Sequence, residues 1–77
     1  MEIKVLGTGC TKCQAAYQII EKVINENSLD VKLTKVEDIV DILNFGIMTM
    51  PAVMVDGKVK IKGRVPSEEE IKLIFDL

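Results

Sequence analysis

Histidine and tryptophan are absent from this chain of 77 residues, and its aromatic residues are one Tyr and two Phe. Without His, the chain lacks both the most common general base of enzymes and a common ligand of zinc sites. So few aromatic rings provide no platform for stacking nucleic-acid bases, and a net charge of −2 does not favour binding to phosphates. We therefore expect no nucleic acid among its partners.

Long hydrophobic runs are also missing. No stretch approaches the ~20 apolar residues that a membrane-spanning helix needs. The first residues, MEIKVLG, lead directly into a predicted strand and lack the basic and long apolar regions of a signal peptide. We therefore expect a cytoplasmic protein with no membrane partner.

Cysteine occurs only twice, at Cys10 and Cys13 in the stretch GTGCTKCQ. Stable structural disulfides are unusual in a reducing cytoplasm, so that an isolated Cys-x-x-Cys pair indicates redox chemistry or metal binding. Two cysteines three residues apart at the start of a helix are close enough to form a disulfide. The pair is the main candidate functional site.

The pattern of apolar and turn residues predicts the element order βαβαββα. A strand over 3–6, a helix from Cys13 to about Asn27 and a strand over 31–36 form a parallel βαβ unit. A short helix around 39–43 follows, then a hairpin turning at Asp56-Gly57 and a final helix opened by a capping box of Ser67 and Glu70. We predict an α/β fold with a mixed four-stranded sheet covered by three helices, and a single domain over residues 1–77.

The position of Cys10 gives the two thiols different properties. A glycine-rich turn meets a helix N-terminus at Cys10, where unpaired N–H groups and the helix dipole stabilise a thiolate and lower the pKa of the thiol. Cys13 lies one turn later, on the inward-facing stripe of the helix. TKCQ also fits a T-x-x-Q capping box, which would leave Cys10 just outside the helix. Lys12 lowers the pKa of Cys10 further, meets an acidic partner, or lies in solvent on the outer face of the helix.

These features resemble the thioredoxin superfamily, in which a Cys-x-x-Cys follows the first strand and a proline precedes a Val-rich hairpin and closing helix. The pattern GTGC..C … MTMPAVMVDGKVKI.G.VPS, over nearly the whole chain, most resembles the small thioredoxin-like or glutaredoxin-like redox-active disulfide proteins of archaea and bacteria. The resemblance implies a thioredoxin-like fold and a thiol–disulfide oxidoreductase that acts on disulfide-containing proteins and receives electrons from a thiol reductase. We expect no cofactor and a monomer.

The resemblance also implies roles for individual residues. Cys10 matches the nucleophile and Cys13 the resolving cysteine, while Thr11 and Lys12 between them are predicted to contact substrate. Pro51 matches a cis-proline that faces the disulfide, with Met50 offering backbone hydrogen bonds to a bound chain; a trans proline that opens a strand is the alternative. The family's buried Asp, six residues before the nucleophile, is replaced by Lys4, so that its proton relay is missing.

Two other functions use the same cysteines. With Met50 as a third soft ligand, Cys10 and Cys13 would suit Cu(I) carriage, although small copper carriers resemble a βαββαβ fold that ends in a strand. A redox-sensing module without turnover is the other alternative. Met48 and Met54 are expected to fill the core or its rim. Lys58, Lys60 and Lys62 either recognise an anionic partner or protect the exposed edge of a strand.

Overall fold

The element order of the chain is the predicted βαβαββα. The structure, a computed structural model, describes residues 1–76, and the last residue of the predicted domain, Leu77, lies outside the described residues. The strands are β1 (Glu2–Leu6), β2 (Lys32–Val36), β3 (Ala52–Val55) and β4 (Lys58–Lys62), and the helices are α1 (Thr11–Glu26), α2 (Ile39–Asn44) and α3 (Glu68–Ile74). Over residues 1–76, none of the three helices combines the length and apolar character needed to cross a membrane.

The four strands form one mixed sheet in the order β2-β1-β3-β4. β1 pairs in parallel with β2 and antiparallel with β3, and β4 pairs antiparallel with β3 at the edge. The predicted mixed sheet is therefore confirmed. β1 lies in the interior of the sheet, so that the loop that follows it emerges between two neighbouring strands.

The hairpin between β3 and β4 turns at Asp56-Gly57, as predicted. Both residues have positive φ, 49° and 84°, which a two-residue hairpin of type I′ requires. Asp56 also joins the hairpin to the start of β1: its N–H donates to the carbonyl of Glu2 at 2.9 Å, and its Oδ1 accepts from the N–H of Glu2 at 2.8 Å. The turn therefore helps to set the register between β1 and β3.

The helices cover the two faces of the sheet unequally. α1 and α3 pack on one face, where residues such as Ile3, Ile20 and Ile71 are completely buried. The other face is covered by the six-residue α2 and the segment after it, and its buried cluster is Leu6, Ile42, Ile47, Ala52 and Met54. The first face therefore contains the larger part of the core.

The short second layer explains one wrong prediction. Met54 is buried and Met50 is half-buried, but Met48, predicted to fill the core or its rim, is 86% exposed. A helix of two turns buries only Ile42 and leaves Ile39 and Leu43 in solvent, so that the segment after α2 passes over the sheet with part of its apolar surface uncovered.

The start of α3 is held by the predicted capping box. Ser67 Oγ accepts from the N–H of Glu70 at 3.2 Å, and the Glu70 carboxylate accepts from the N–H of Ser67 at 3.1 Å. Arg64 adds a bidentate ion pair to the same carboxylate. The hydrogen bond from Arg64, followed by that from the Ser67 backbone, lowers the pKa of Glu70 from 4.5 to about 2.

This depressed pKa predicts a pH-dependent contribution of Glu70 to stability. Because the folded pKa lies below the unfolded value, the contribution is complete above about pH 5 and is lost as the pH falls towards 2. We expect Glu70→Gln to lower the free energy of unfolding at pH 7, with the difference from wild type disappearing near pH 2. Denaturant unfolding followed by circular dichroism over this pH range measures it.

Glu69→Gln is the matched control, because Glu69 occupies the same helical turn but makes no hydrogen bond or ion pair with the residues in 1–76. The control should follow the wild-type pH profile closely. A destabilisation by Glu70→Gln that is as large at pH 2 as at pH 7 would contradict the ionic origin of the effect.

Candidate active site

The two cysteines are joined in a disulfide at the start of α1, with their Cα atoms 5.1 Å apart. α1 begins at Thr11 and Cys10 is its N-cap residue, in extended conformation with φ −69° and ψ 165°. The alternative capping box of Thr11 and Gln14 does not form; instead the Gln14 side-chain amide donates to the carbonyl of Gly9 at 3.1 Å. The first cysteine therefore lies directly at the helix end.

The two sulfurs have different surroundings. Cys10 is exposed, and its Sγ accepts a hydrogen bond from the backbone N–H of Cys13 at 3.3 Å, in the way that a capping side chain accepts from the first turn. Cys13 is only 5% exposed and lies on the same buried stripe as Ala16 and Ile20. The predicted difference in accessibility between the two cysteines is confirmed.

The charges at the helix end favour a thiolate at Cys10. The first turn of α1 contains no acidic residue, and its one charged side chain is that of Lys12, which is exposed. The unpaired N–H groups of the first turn and the helix dipole add partial positive charge at the same place. The backbone at the helix end therefore favours negative charge on the Cys10 sulfur.

Pro51 lies at the same end of the sheet as the cysteines. In the antiparallel pair of β1 and β3, Leu6 faces Ala52, so that the next residues outward are Gly7 and Pro51. The Met50–Pro51 peptide bond is cis. Pro51 is buried, and its carbonyl accepts from the N–H of Gly63 at 2.9 Å, which connects it to the loop after β4.

One surface cleft adjoins Cys13, and a second includes Thr49, the residue before Met50. One, of about 310 Å³, lies between α1 and β2 and is lined by Cys13, Tyr17, Lys35, Glu37 and neighbouring residues; Lys35 Nζ lies 4.5 Å from the centre of the Tyr17 ring. The other cleft, of about 320 Å³, lies between β4 and the segment that follows α2, just before Met50 in the chain. Its lining is Phe45, Gly46, Ile47, Met48, Thr49, Val59 and Lys62.

Sequence reasoning missed both clefts. Tyr17 of α1 is half-buried against the core and faces Lys35 of β2. Phe45 received no role, yet it lies on the opposite face of the sheet, with Lys4 Nζ 4.9 Å from its ring centre. The residues of each pair, Tyr17 with Lys35 and Lys4 with Phe45, are far apart in the chain. The sequence therefore gives no local pattern that would predict these contacts.

Within the described residues 1–76, the cysteines do not belong to a group of three or more Cys, His, Asp or Glu side chains that could bind a metal ion. The arrangement does suit reversible thiol–disulfide chemistry, since an exposed sulfur at a helix end is bonded to a buried one. Fold and site together define a thioredoxin-like protein with a redox-active disulfide.

Comparison with known proteins agrees with this class. The family model for the thioredoxin domain matches residues 1–76. The chain is 39% identical over 75 residues to a thioredoxin of Methanothermobacter thermautotrophicus, covering 97% of both chains. It is 37% identical over 70 residues to a thioredoxin of Methanocaldococcus jannaschii, covering 91% of this chain and 80% of that protein. The chain belongs to the thioredoxin family and is a thiol–disulfide oxidoreductase.

The difference between the two sulfurs predicts selective chemical labelling. In the reduced protein at pH 6, we expect iodoacetamide to alkylate Cys10 at least ~10-fold faster than Cys13, because Cys10 is exposed and lies at the helix end. Peptide mapping by mass spectrometry after short reaction times measures both rates. In urea-unfolded protein the two rates should become similar, and faster labelling of Cys13 in the native state would overturn the assignment.

Proposed function

We propose that this protein reduces or exchanges disulfides in protein substrates, with Cys10 as the nucleophile and Cys13 as the resolving cysteine. The Cys10 thiolate attacks a substrate disulfide and forms a mixed disulfide; Cys13 then attacks Cys10 and releases the reduced substrate. The observation that carries the proposal is the N-cap position of exposed Cys10, one turn before buried Cys13.

The proposed substrate contacts are Thr11, Lys12, Met50 and Pro51. Thr11 and Lys12 are exposed between the two cysteines, where a chain bonded to Cys10 would pass. Met50 is half-buried and precedes the cis bond to Pro51, at the end of the sheet where α1 begins. The cleft lined by Phe45, Met48, Val59 and their neighbours includes Thr49, the residue before Met50, and its apolar side chains support docking of a partially unfolded or extended segment of the substrate.

The electron supply and setting complete the proposal. After each turnover the Cys10–Cys13 disulfide must be reduced again, which we assign to a thiol reductase as donor. The chain has no third cysteine, and the disulfide joins residues only three positions apart. Its reduction therefore breaks no covalent link between distant parts of the fold. We further propose that the protein works as a single-domain monomer in the cytoplasm, without a cofactor. Thiols are kept reduced in that compartment, which suits a cysteine pair that must return to the dithiol form.

Trapping variants test the unequal roles. We expect Cys13→Ser to accumulate mixed disulfides with proteins of a cell extract, because Cys10 still attacks but nothing releases the adduct. Cys10→Ser should give at least ~10-fold fewer adducts, because Cys13 is buried and lacks the helix-end activation. Non-reducing electrophoresis followed by mass spectrometry of the captured proteins measures the difference.

The double variant Cys10→Ser/Cys13→Ser is the matched control and should capture nothing. A Cu(I) carrier would behave differently, because each single substitution would remove one ligand and weaken metal binding to a similar extent. Equal trapping by both single variants, or by neither, would contradict the proposed division of roles.

A further inference from the structure

Gly7 occupies the junction between the central strand and the cysteine helix. It follows β1 directly, is buried, and its N–H donates to the carbonyl of Val36 in β2 at 2.9 Å. Unlike Gly9, Gly46, Gly57 and Gly63, it is not in the positive-φ region. The backbone conformation at Gly7 therefore permits other residues. The reason for glycine at this position is the lack of room for a side chain.

That space is taken by Cys13. A Cβ atom added to Gly7 would lie 2.7 Å from Cys13 Cβ, nearer still to Cys13 Sγ, and 3.8 Å from Cys13 Cα. Real Cβ atoms essentially never approach other atoms below 3.0 Å. Cys13 Cβ is bonded directly to the backbone and cannot rotate away, so that a side chain at residue 7 would displace the first turn of α1 or the end of β1.

We propose that Gly7 is a positioning residue for the redox reaction: its missing side chain leaves the space that lets Cys13 Sγ reach Cys10. This inference rests on the proposed resolving role of Cys13. In the disulfide, the bond to Cys10 holds Cys13 Sγ against Gly7, whereas in the dithiol the sulfur is free to rotate away. A side chain at residue 7 therefore opposes the disulfide more than the dithiol.

The affected step is the resolution of the mixed disulfide. The Cys13 thiol loses its proton to solvent, and the thiolate attacks the sulfur of Cys10. The Cys10–Cys13 bond forms as the bond between Cys10 and the partner's sulfur breaks, and the partner's sulfur leaves with the electron pair as a thiolate that takes up a proton from water. The partner's disulfide is thereby reduced by two electrons and the cysteine pair is oxidised. A displacement of the attacking sulfur by ~1 Å slows such a step by up to about 100-fold.

Gly7→Ala is the direct test. With dithiothreitol as the redox buffer, we expect the equilibrium between disulfide and dithiol to shift towards the dithiol by about tenfold, because the added methyl overpacks the contact with Cys13 Sγ. In single-turnover reaction with a small aromatic disulfide, release of the second thiol should slow by about 10- to 100-fold. The first attack, measured in the Cys13→Ser background, should slow less with Gly7→Ala than the release step does, because the added Cβ contacts Cys13 and not the exposed Cys10.

Gly57→Ala separates this effect from general destabilisation. Gly57 has φ +84°, no atom lies within 4 Å of its added Cβ, and it turns the hairpin at the opposite end of the sheet. This variant should lose stability and keep the wild-type redox equilibrium. An unchanged equilibrium and release rate in Gly7→Ala, or an equal change in Gly57→Ala, would overturn the proposal.

A second pair of variants covers the case in which Gly7→Ala does not fold. Cys13→Gly removes both side-chain atoms that an added Cβ would meet. Adding Gly7→Ala to Cys13→Gly should therefore leave the denaturation midpoint of Cys13→Gly unchanged, and a further loss would refute the contact. The dithiothreitol equilibrium needs no protein partner, so that failure of the proposed function in substrate trapping remains distinguishable from failure of the Gly7 proposal.

Discussion

The packing of the first turn of α1 on the end of β1 is the contact on which the site depends. It requires the absence of a side chain at Gly7, whose place is taken by Cys13. β1 is paired on both sides, and Gly7 is itself hydrogen-bonded to Val36 of β2, so that the surface under Cys13 is held by the whole sheet. The second cysteine is thereby fixed, while the first remains at the surface.

The unequal character of the two sulfurs follows from their three-residue spacing at a helix start. The N-cap position places Cys10 outside the first turn, where its sulfur accepts from the N–H of Cys13, and one turn later the inward stripe carries Cys13 into the core. Lys4, at the position where the resemblance places a buried Asp, lies over Phe45 on the other face of the sheet, with its Nζ 4.9 Å from the ring centre.

The unequal covering of the sheet leaves a cleft on one of its faces. The core between α1, α3 and the sheet is extensive, whereas α2 covers the opposite face with only two turns. Apolar side chains such as Phe45 and Met48 consequently remain in solvent beside the segment that leads to Met50. A larger second layer would bury these residues in the core and remove the cleft.

Local patterns in the sequence determined the element order, the hairpin at Asp56-Gly57 and the capped start of α3 at Ser67, because turns and caps depend on residues only a few positions apart. They also placed both cysteines at a helix start. Only the tertiary structure decided that Met48 stays exposed and that Gly7 makes room for Cys13. These outcomes depend on how a helix packs against strands that are distant in the chain, and side-chain volume at such a contact has no periodic signature in the sequence.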